Sequence, residues 1–234
     1  MGEFYHRYVL GVYQIQERLL KDFPHLLLEN CSGGGGRFDP GMLYYSPQIW
    51  ASDNQDPIER LKIQEGTALI YPLSTMGAHV CCCPNHTMGR VTPMETRAYV
   101  AMAGTFGYEL DVTQMSEDDK QKAVGFNKEY HKYNNLIREG EYYRLASYRE
   151  NNRYDCWQIV SEDKKESLVT YVQVRFQAVQ YSERIRLEDL LSDAQYRLEG
   201  TEEVYSGEML MNAGYLQKIF VCDYGSRMLH FIAE

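Results

Sequence analysis

Gln48-Ile49-Trp50-Ala51-Ser52-Asp53-Asn54-Gln55-Asp56-Pro57-Ile58-Glu59-Arg60-Leu61 reads as one strand, one short loop and the start of one helix. Gln48-Ile49-Trp50 has the brevity and apolar weight of a buried strand. Asp56 can cap the helix by accepting from the free amides of its first turn, and Pro57 can occupy the first helical turn, where an amide would be unused anyway. The helix is expected to run to about Gly66.

The same alternation continues on both sides. Upstream, Tyr8, Val12, Ile15 and Leu19 recur at helical spacing, so an amphipathic helix should end near Asp22, before Pro24. His25-Leu26-Leu27-Leu28 then reads as a buried parallel strand opening into Gly33-Gly34-Gly35-Gly36. Downstream, Ala68-Leu69-Ile70-Tyr71 and Leu73 to Val80 supply a third extended region, Pro93 to Arg97 begins a helix, and a fourth strand lies within Gly104 to Leu110. Ser116-Glu117-Asp118-Asp119 opens a long helix with acidic residues at the positive end of its dipole. Strands alternating with helices predict a parallel sheet of βαβ units. After about Glu141 the texture changes: Val172, Val174, Phe176 and Ala178 alternate with polar residues, the period of a half-buried antiparallel strand. Shorter patterns follow at Tyr196 to Glu199, Ile219 to Val221 and Met228 to Ile232. The fold class is therefore α/β over residues 1–140, followed by a small antiparallel all-β domain over 141–234.

The 234 residues suffice for a sizeable core, and 44% apolar with 24% charged residues is ordinary globular composition. No run approaches the roughly 18 apolar residues that a bilayer helix needs. A net charge of −9 disfavours phosphate backbones and anionic lipid, so neither nucleic acid nor membrane is expected as a partner. Met1 to Leu10 lack the features of a secretory signal, and His6 stands where a myristoylation signal wants Ser or Thr; the expectation is a cytoplasmic protein. Cys81, Cys82 and Cys83 are consecutive, and Cys31, Cys156 and Cys222 are scattered, which argues for reduced thiols. Adjacent cysteines cannot converge on one tetrahedral centre, so Cys81 to Cys83 with His79 and His86 is read as packing, and no metal or cofactor is expected.

Chemistry concentrates in two places. The glycine run follows a strand but continues as Arg37-Phe38, without the Lys-Ser/Thr of a phosphate loop or the glycine spacing of a dinucleotide fingerprint. It suits close backbone approach to a ligand, with Cys31 and Ser32 beside it and an Arg37–Asp39 pair as its expected brace. Asp53, just past the end of a strand, is placed for acid or base work, and Trp50 offers an apolar wall for a sugar or else packs in the core. His131 and His230 have no recognisable partners in the sequence.

The run from Phe23 to Met42, containing Cys31-Ser32-Gly33-Gly34-Gly35-Gly36, resembles glycoside hydrolase family 36, as do Pro47 to Asp53, Ile58-Glu59-Arg60-Leu61, Tyr71 to His79 and Gly104 to Asp111. Tyr205 to Gly214 and Ser226-Arg227 are similar to the family's C-terminal β domain. The resemblance implies a TIM-type β/α barrel that hydrolyses terminal α-linked galactose with retention. It implies that Asp53, after Trp-x-Ser, is the acid/base, and that Cys31, Gly34 and Trp50 bind galactose. Where the family often has a second acidic residue after the acid/base, this chain has Asn54, and its cysteines after Val80 are more numerous than the family's.

The family's nucleophile lies in a Lys-x-Asp-x-x-Arg motif that does not occur here, so the resemblance implies the last four of eight barrel strands with the terminal β domain. A retaining glycosidase needs two carboxyl groups about 5 to 5.5 Å apart. The expectation is an α-galactosidase acting on melibiose- and raffinose-type galactosides when complete, with the isolated chain inactive. When complete it would form a homo-oligomer; otherwise it would associate with the absent N-terminal half. A galactosyl transferase similar to raffinose synthase and a non-catalytic galactose-binding fragment are the alternatives.

Overall fold

The computed structural model describes residues 1–234 apart from Ser32, Gly34 and Gly35. The first helix, α1 (Gly2–Asp22), leads into a run of alternating elements: β1 (Glu29–Asn30), α2 (Pro40–Tyr45), β2 (Gln48–Trp50), α3 (Pro57–Ala68), β3 (Met76–Cys81), α4 (Met94–Ala101), β4 (Thr105–Glu109) and α5 (Glu117–Glu139). The four strands form one parallel sheet in chain order, each joined to the next by a helical crossover. This is a portion of a β/α barrel. Met76 and Val80 on β3 face the helices and pack with Ile58, Leu61, Met94 and Ala98. With a side-chain period of two, Gly77, His79 and Cys81 face the other way, into the barrel interior.

Local signals set the helix starts. Asp56 accepts from the amides of Ile58 and Glu59, and Pro57 follows it. Ser116 accepts from the amide of Asp119 ahead of three acidic residues in the first turn of α5. The expected strands give way in two places within this part. His25 to Leu28 is not a strand: β1 begins at Glu29, and Leu27 is 84% exposed. Leu69 to Tyr71 turn out of α3 and a short 3-10 turn at Leu73–Thr75 follows, so the chain becomes a strand only at Met76. Glu29, the first residue of β1, is exposed and accepts from Gln48 Nε2 at 2.9 Å.

Beyond Gly140, a six-stranded antiparallel sheet has the order β10-β9-β12-β7-β6-β5. Its strands are β5 (Glu141–Ala146), β6 (Tyr154–Val160), β7 (Glu166–Gln173), β9 (Gln195–Leu198), β10 (Val204–Ser206) and β12 (Ser226–Ala233). A separate two-stranded antiparallel sheet pairs β8 (Ser182–Ile185) with β11 (Tyr215–Lys218), so the strand expected at Ile219 to Val221 falls earlier. The strand expected from Val172 to Ala178 also falls earlier, in β7, and it does not alternate between buried and exposed. Trp157, Ile159, Leu168 and Val172 pack against Phe126, Tyr133 and Ile137 of α5. The opposite face, Cys156, Val160, Val169 and Tyr171, packs against Ile185, Tyr196, Leu210 and Phe231. A strand buried on both faces loses the polar half of the period-two pattern.

Polar groups stitch the two sheets together at a buried junction. Glu65 of α3 accepts from Arg144 and from Ser147 Oγ. Asp155, 5% exposed, accepts from the amide of Tyr148, and burial first, then the nearby Glu65 charge, push its carboxyl up to about 7 against these opposing contacts. His230 also has partners that its sequence context does not announce: Glu199 Oε2 at 2.9 Å and Glu166 Oε2 at 3.0 Å.

Candidate active site

The C-terminal ends of the parallel strands carry the candidate residues. After β1, Cys31 is exposed, and Gly34 lies outside the described residues. The two arms of the glycine loop are tied to α1 rather than to each other. Arg37 Nη2 donates to Tyr8 Oη at 3.0 Å, while Asp39 caps α2 through the Met42 amide and accepts from Tyr13 Oη at 3.0 Å. The expected Arg37–Asp39 brace is therefore replaced by two tyrosines of one helix. Gly41 permits this approach, since a Cβ there would meet Tyr13 Oη at 2.2 Å.

After β2, the loop from Ala51 to Asp56 is held by its own short side chains. Ser52 Oγ accepts from the Asn54 amide, Asn54 Oδ1 from the Asp56 amide, and Asp56 from the first turn of α3. Arg90 Nε, at 3.0 Å, closes on the Asp56 carboxylate. A loop with so many backbone amides captured locally has little freedom to carry Asp53 elsewhere. Asp53 is exposed, and the Cys31 Sγ lies 3.7 Å from its Oδ1. The two expected site residues from different strands are thus brought together.

Trp50 is 7% exposed. Its ring stacks on His79 with centroids 4.7 Å apart and planes 24° apart, and the Arg60 guanidinium lies 4.0 Å over it. His79 Nδ1 in turn lies 3.3 Å from Glu109 Oε2 at the end of β4. Gly107 makes the space, because a Cβ there would sit 2.9 Å from His79 Cδ2. Trp50, His79 and Glu109, from three successive strands, form one inward-facing layer. Sequence reasoning missed Glu109 and Arg60. The strand-end logic that selected Asp53 would have found Glu109; nothing in an arginine on a helix announces Arg60.

The cysteine run divides. Cys81 is buried, and burial pushes its thiol up; Cys82 Sγ lies 3.7 Å from His86 Nδ1, and Cys83 is exposed. His79 faces Trp50 and Glu109 instead. Among the described residues, no group of three or more His, Cys, Asp or Glu side chains could hold a metal ion.

Chemically, the site offers an exposed carboxylate, Asp53, a buried indole ring at the end of the same strand, and a second carboxylate, Glu109, engaged by His79. Asp39 and Asp56 are occupied as helix caps. A pocket elsewhere, between α3 and the antiparallel sheet, is lined by Glu65, Tyr142, Asp155 and Trp157 and belongs to the junction rather than to the strand ends.

The family profile described as Melibiase matches residues 1–140, and that described as the glycosyl hydrolase family 36 C-terminal domain matches residues 154–231. The chain is similar to the α-galactosidase AgaA of Geobacillus stearothermophilus, with 48% identity over 95% of this chain and 30% of the relative. It is also similar to the α-galactosidase Mel36A of Lactobacillus acidophilus, with 46% identity over 99% of this chain and 31% of the relative. Among solved structures, a variant of the Geobacillus AgaA in complex with raffinose matches with a TM-score of 0.94 at 46% identity, over 98% of this chain and 32% of that one. The chain thus spans about 30% of the length of the curated relatives it matches.

Proposed function

Because this chain belongs to glycoside hydrolase family 36, with its parallel-sheet part in the melibiase family and its antiparallel sheet in the family's C-terminal domain, we propose that it supplies the acid/base side of an α-galactosidase active site. The observation that carries the reading is the meeting of Asp53 with Cys31 at the strand ends beside Trp50. Asp53 protonates the glycosidic oxygen as the bond to the leaving group breaks. The sugar passes to a nucleophilic carboxylate on a strand that this chain does not carry, and Asp53, now a base, takes a proton from the water that releases it. Cys31, Gly34 and Trp50 form the galactose pocket, the glycine by allowing close backbone approach and the tryptophan, 7% exposed with its ring packed on His79 and Arg60, as its backing rather than an open wall. The substrates are melibiose- and raffinose-type galactosides, a class to which the raffinose bound by the Geobacillus relative belongs.

The test is leaving-group dependence in the enzyme assembled from this chain and a polypeptide carrying the remaining barrel strands. Asp53→Ala should cripple turnover of alkyl galactosides by about 10²-fold or more, and that of aryl galactosides with an activated phenolate far less, because the phenolate departs without a proton. Equal losses on both substrates would remove Asp53 from the acid role.

A further inference from the structure

Arg60 is among the largest fully buried side chains of the protein, at 1% exposure. Its Nε, Nη1 and Nη2 are all buried, and none has a hydrogen-bond partner among the described residues. An isolated buried charge is among the most expensive features a fold can contain, and it ordinarily persists only when paired. The contact Arg60 does make is with the face of Trp50 at 4.0 Å, a cation–π interaction that offsets part of that cost. It also bridges the loop that carries Asp53, since Trp50 ends β2 and Arg60 lies in the first turns of α3.

The groups that act on this charge come from every strand end in reach. They are Asp53 from the loop after β2, Cys81 from β3 and Glu109 from β4. His79 lies against Glu109, and Arg97 lies near Cys81. Asp56, on the same helix as Arg60, is turned onto Arg90. Burial lowers the guanidinium to about 10, and the negative groups around it oppose that shift without cancelling it.

We infer that Arg60 is a positioning residue of the galactosidase site, its buried guanidinium holding the Trp50 ring in place behind the loop that carries Asp53. This rests on the function proposed above. Because Arg60 is enclosed, it does this without touching the sugar.

Arg60→Met and Arg60→Lys separate this role from a structural one. Methionine approximates the volume without the charge, and replacing a buried lone ion by an apolar side chain is commonly neutral or stabilising. In chain 1–234, Arg60→Met should therefore melt at or above the wild-type temperature. In the assembled enzyme, its KM for an alkyl α-galactoside should rise roughly tenfold with kcat changed far less, because the Trp50 ring behind the sugar site is no longer held. Arg60→Lys keeps a cation to set over the Trp50 face and should recover most of that KM. A markedly lower melting temperature for Arg60→Met would make Arg60 structural and overturn the inference, as would an unchanged KM in a stable, active variant. An assembled wild type with no turnover of α-galactosides would overturn the galactosidase reading itself.

Discussion

Replacing Asp155 with Asn tests the buried acid at the junction between the two sheets. The carboxyl is 5% exposed and sits at about 7, against 3.8 for an ordinary aspartate. Burial is the main cause, and Glu65 adds to it. Because the folded value lies above the unfolded one, the native state binds more protons than the unfolded state between those two values, and stability falls as the pH rises through that window. A shift of roughly three units corresponds to about 4 kcal/mol, and local relaxation with water entry brings the expected penalty above pH 7 to roughly 2–4 kcal/mol. Asparagine has nearly the same shape, retains an acceptor for the Tyr148 amide and carries no charge. The variant should match wild type near pH 3, below the unfolded value, and exceed its stability at pH 8 by that amount. Urea unfolding at both pH values, in a Trp50→Phe background so that Trp157 alone reports, gives the difference at constant m-value. An Asn variant less stable than wild type by the same margin at both pH values would refute the reasoning, because it would mean that Asp155 is ionised and contributes as an anion throughout.

Alone, chain 1–234 should not turn over an activated aryl α-galactoside, since the described carboxylates nearest Asp53 are committed as caps or to His79; mixing it with a polypeptide that carries the Lys-x-Asp-x-x-Arg strand should restore activity. Turnover by the isolated chain that survives repurification and disappears in Asp53→Asn would sink that expectation. Gly107→Ala places a Cβ 2.9 Å from the end of the His79 ring, which can yield, so unfolding should change by no more than about 1 kcal/mol while kcat/KM of the assembled enzyme drops severalfold; unchanged kinetics would detach His79 from the site. Glu199 is pushed upward by burial, but Lys132, His230 and Tyr133 outweigh this and hold it near 2, so the stability it contributes is present at neutral pH and should be lost as the pH falls below about 4. Glu199→Gln should flatten the acid limb of a stability profile, and an unchanged limb would contradict the assignment.

The legible parts of the chain were those governed by local chemistry. Asp56-Pro57 and Ser116 announce helix starts because the cap and the amides it satisfies lie within one turn, and α3 and α5 begin where these residues say. Asp53 was legible because a carboxylate just past a buried strand lands at the sheet's C-terminal edge whatever the helices do. What failed depends on distant neighbours. The apolar run Leu26-Leu27-Leu28 looks buried, yet burial is conferred by what packs against it. The strand β7 shows no alternation because a helix covers one face and a second layer of the antiparallel domain covers the other. Arg60 and His230 were missed for the same reason: an arginine on an amphipathic helix reads as solvated, and a histidine in a strand shows nothing of carboxylates brought to it from β7 and from beyond β9.

The double-sided burial of β6 and β7 also means that the change of architecture near Gly140 is not a seam in the folding free energy. Phe126, Tyr133 and Ile137 belong to a barrel helix, but their apolar partners include Trp157, Ile159 and Leu168, so one of the two core clusters is shared across the boundary. Amide hydrogen exchange should register this as a single slow unit spanning the end of α5 with β6 and β7, opening together rather than as two blocks divided at the change of topology. Cutting the chain at Gly140 would strip that unit from both pieces.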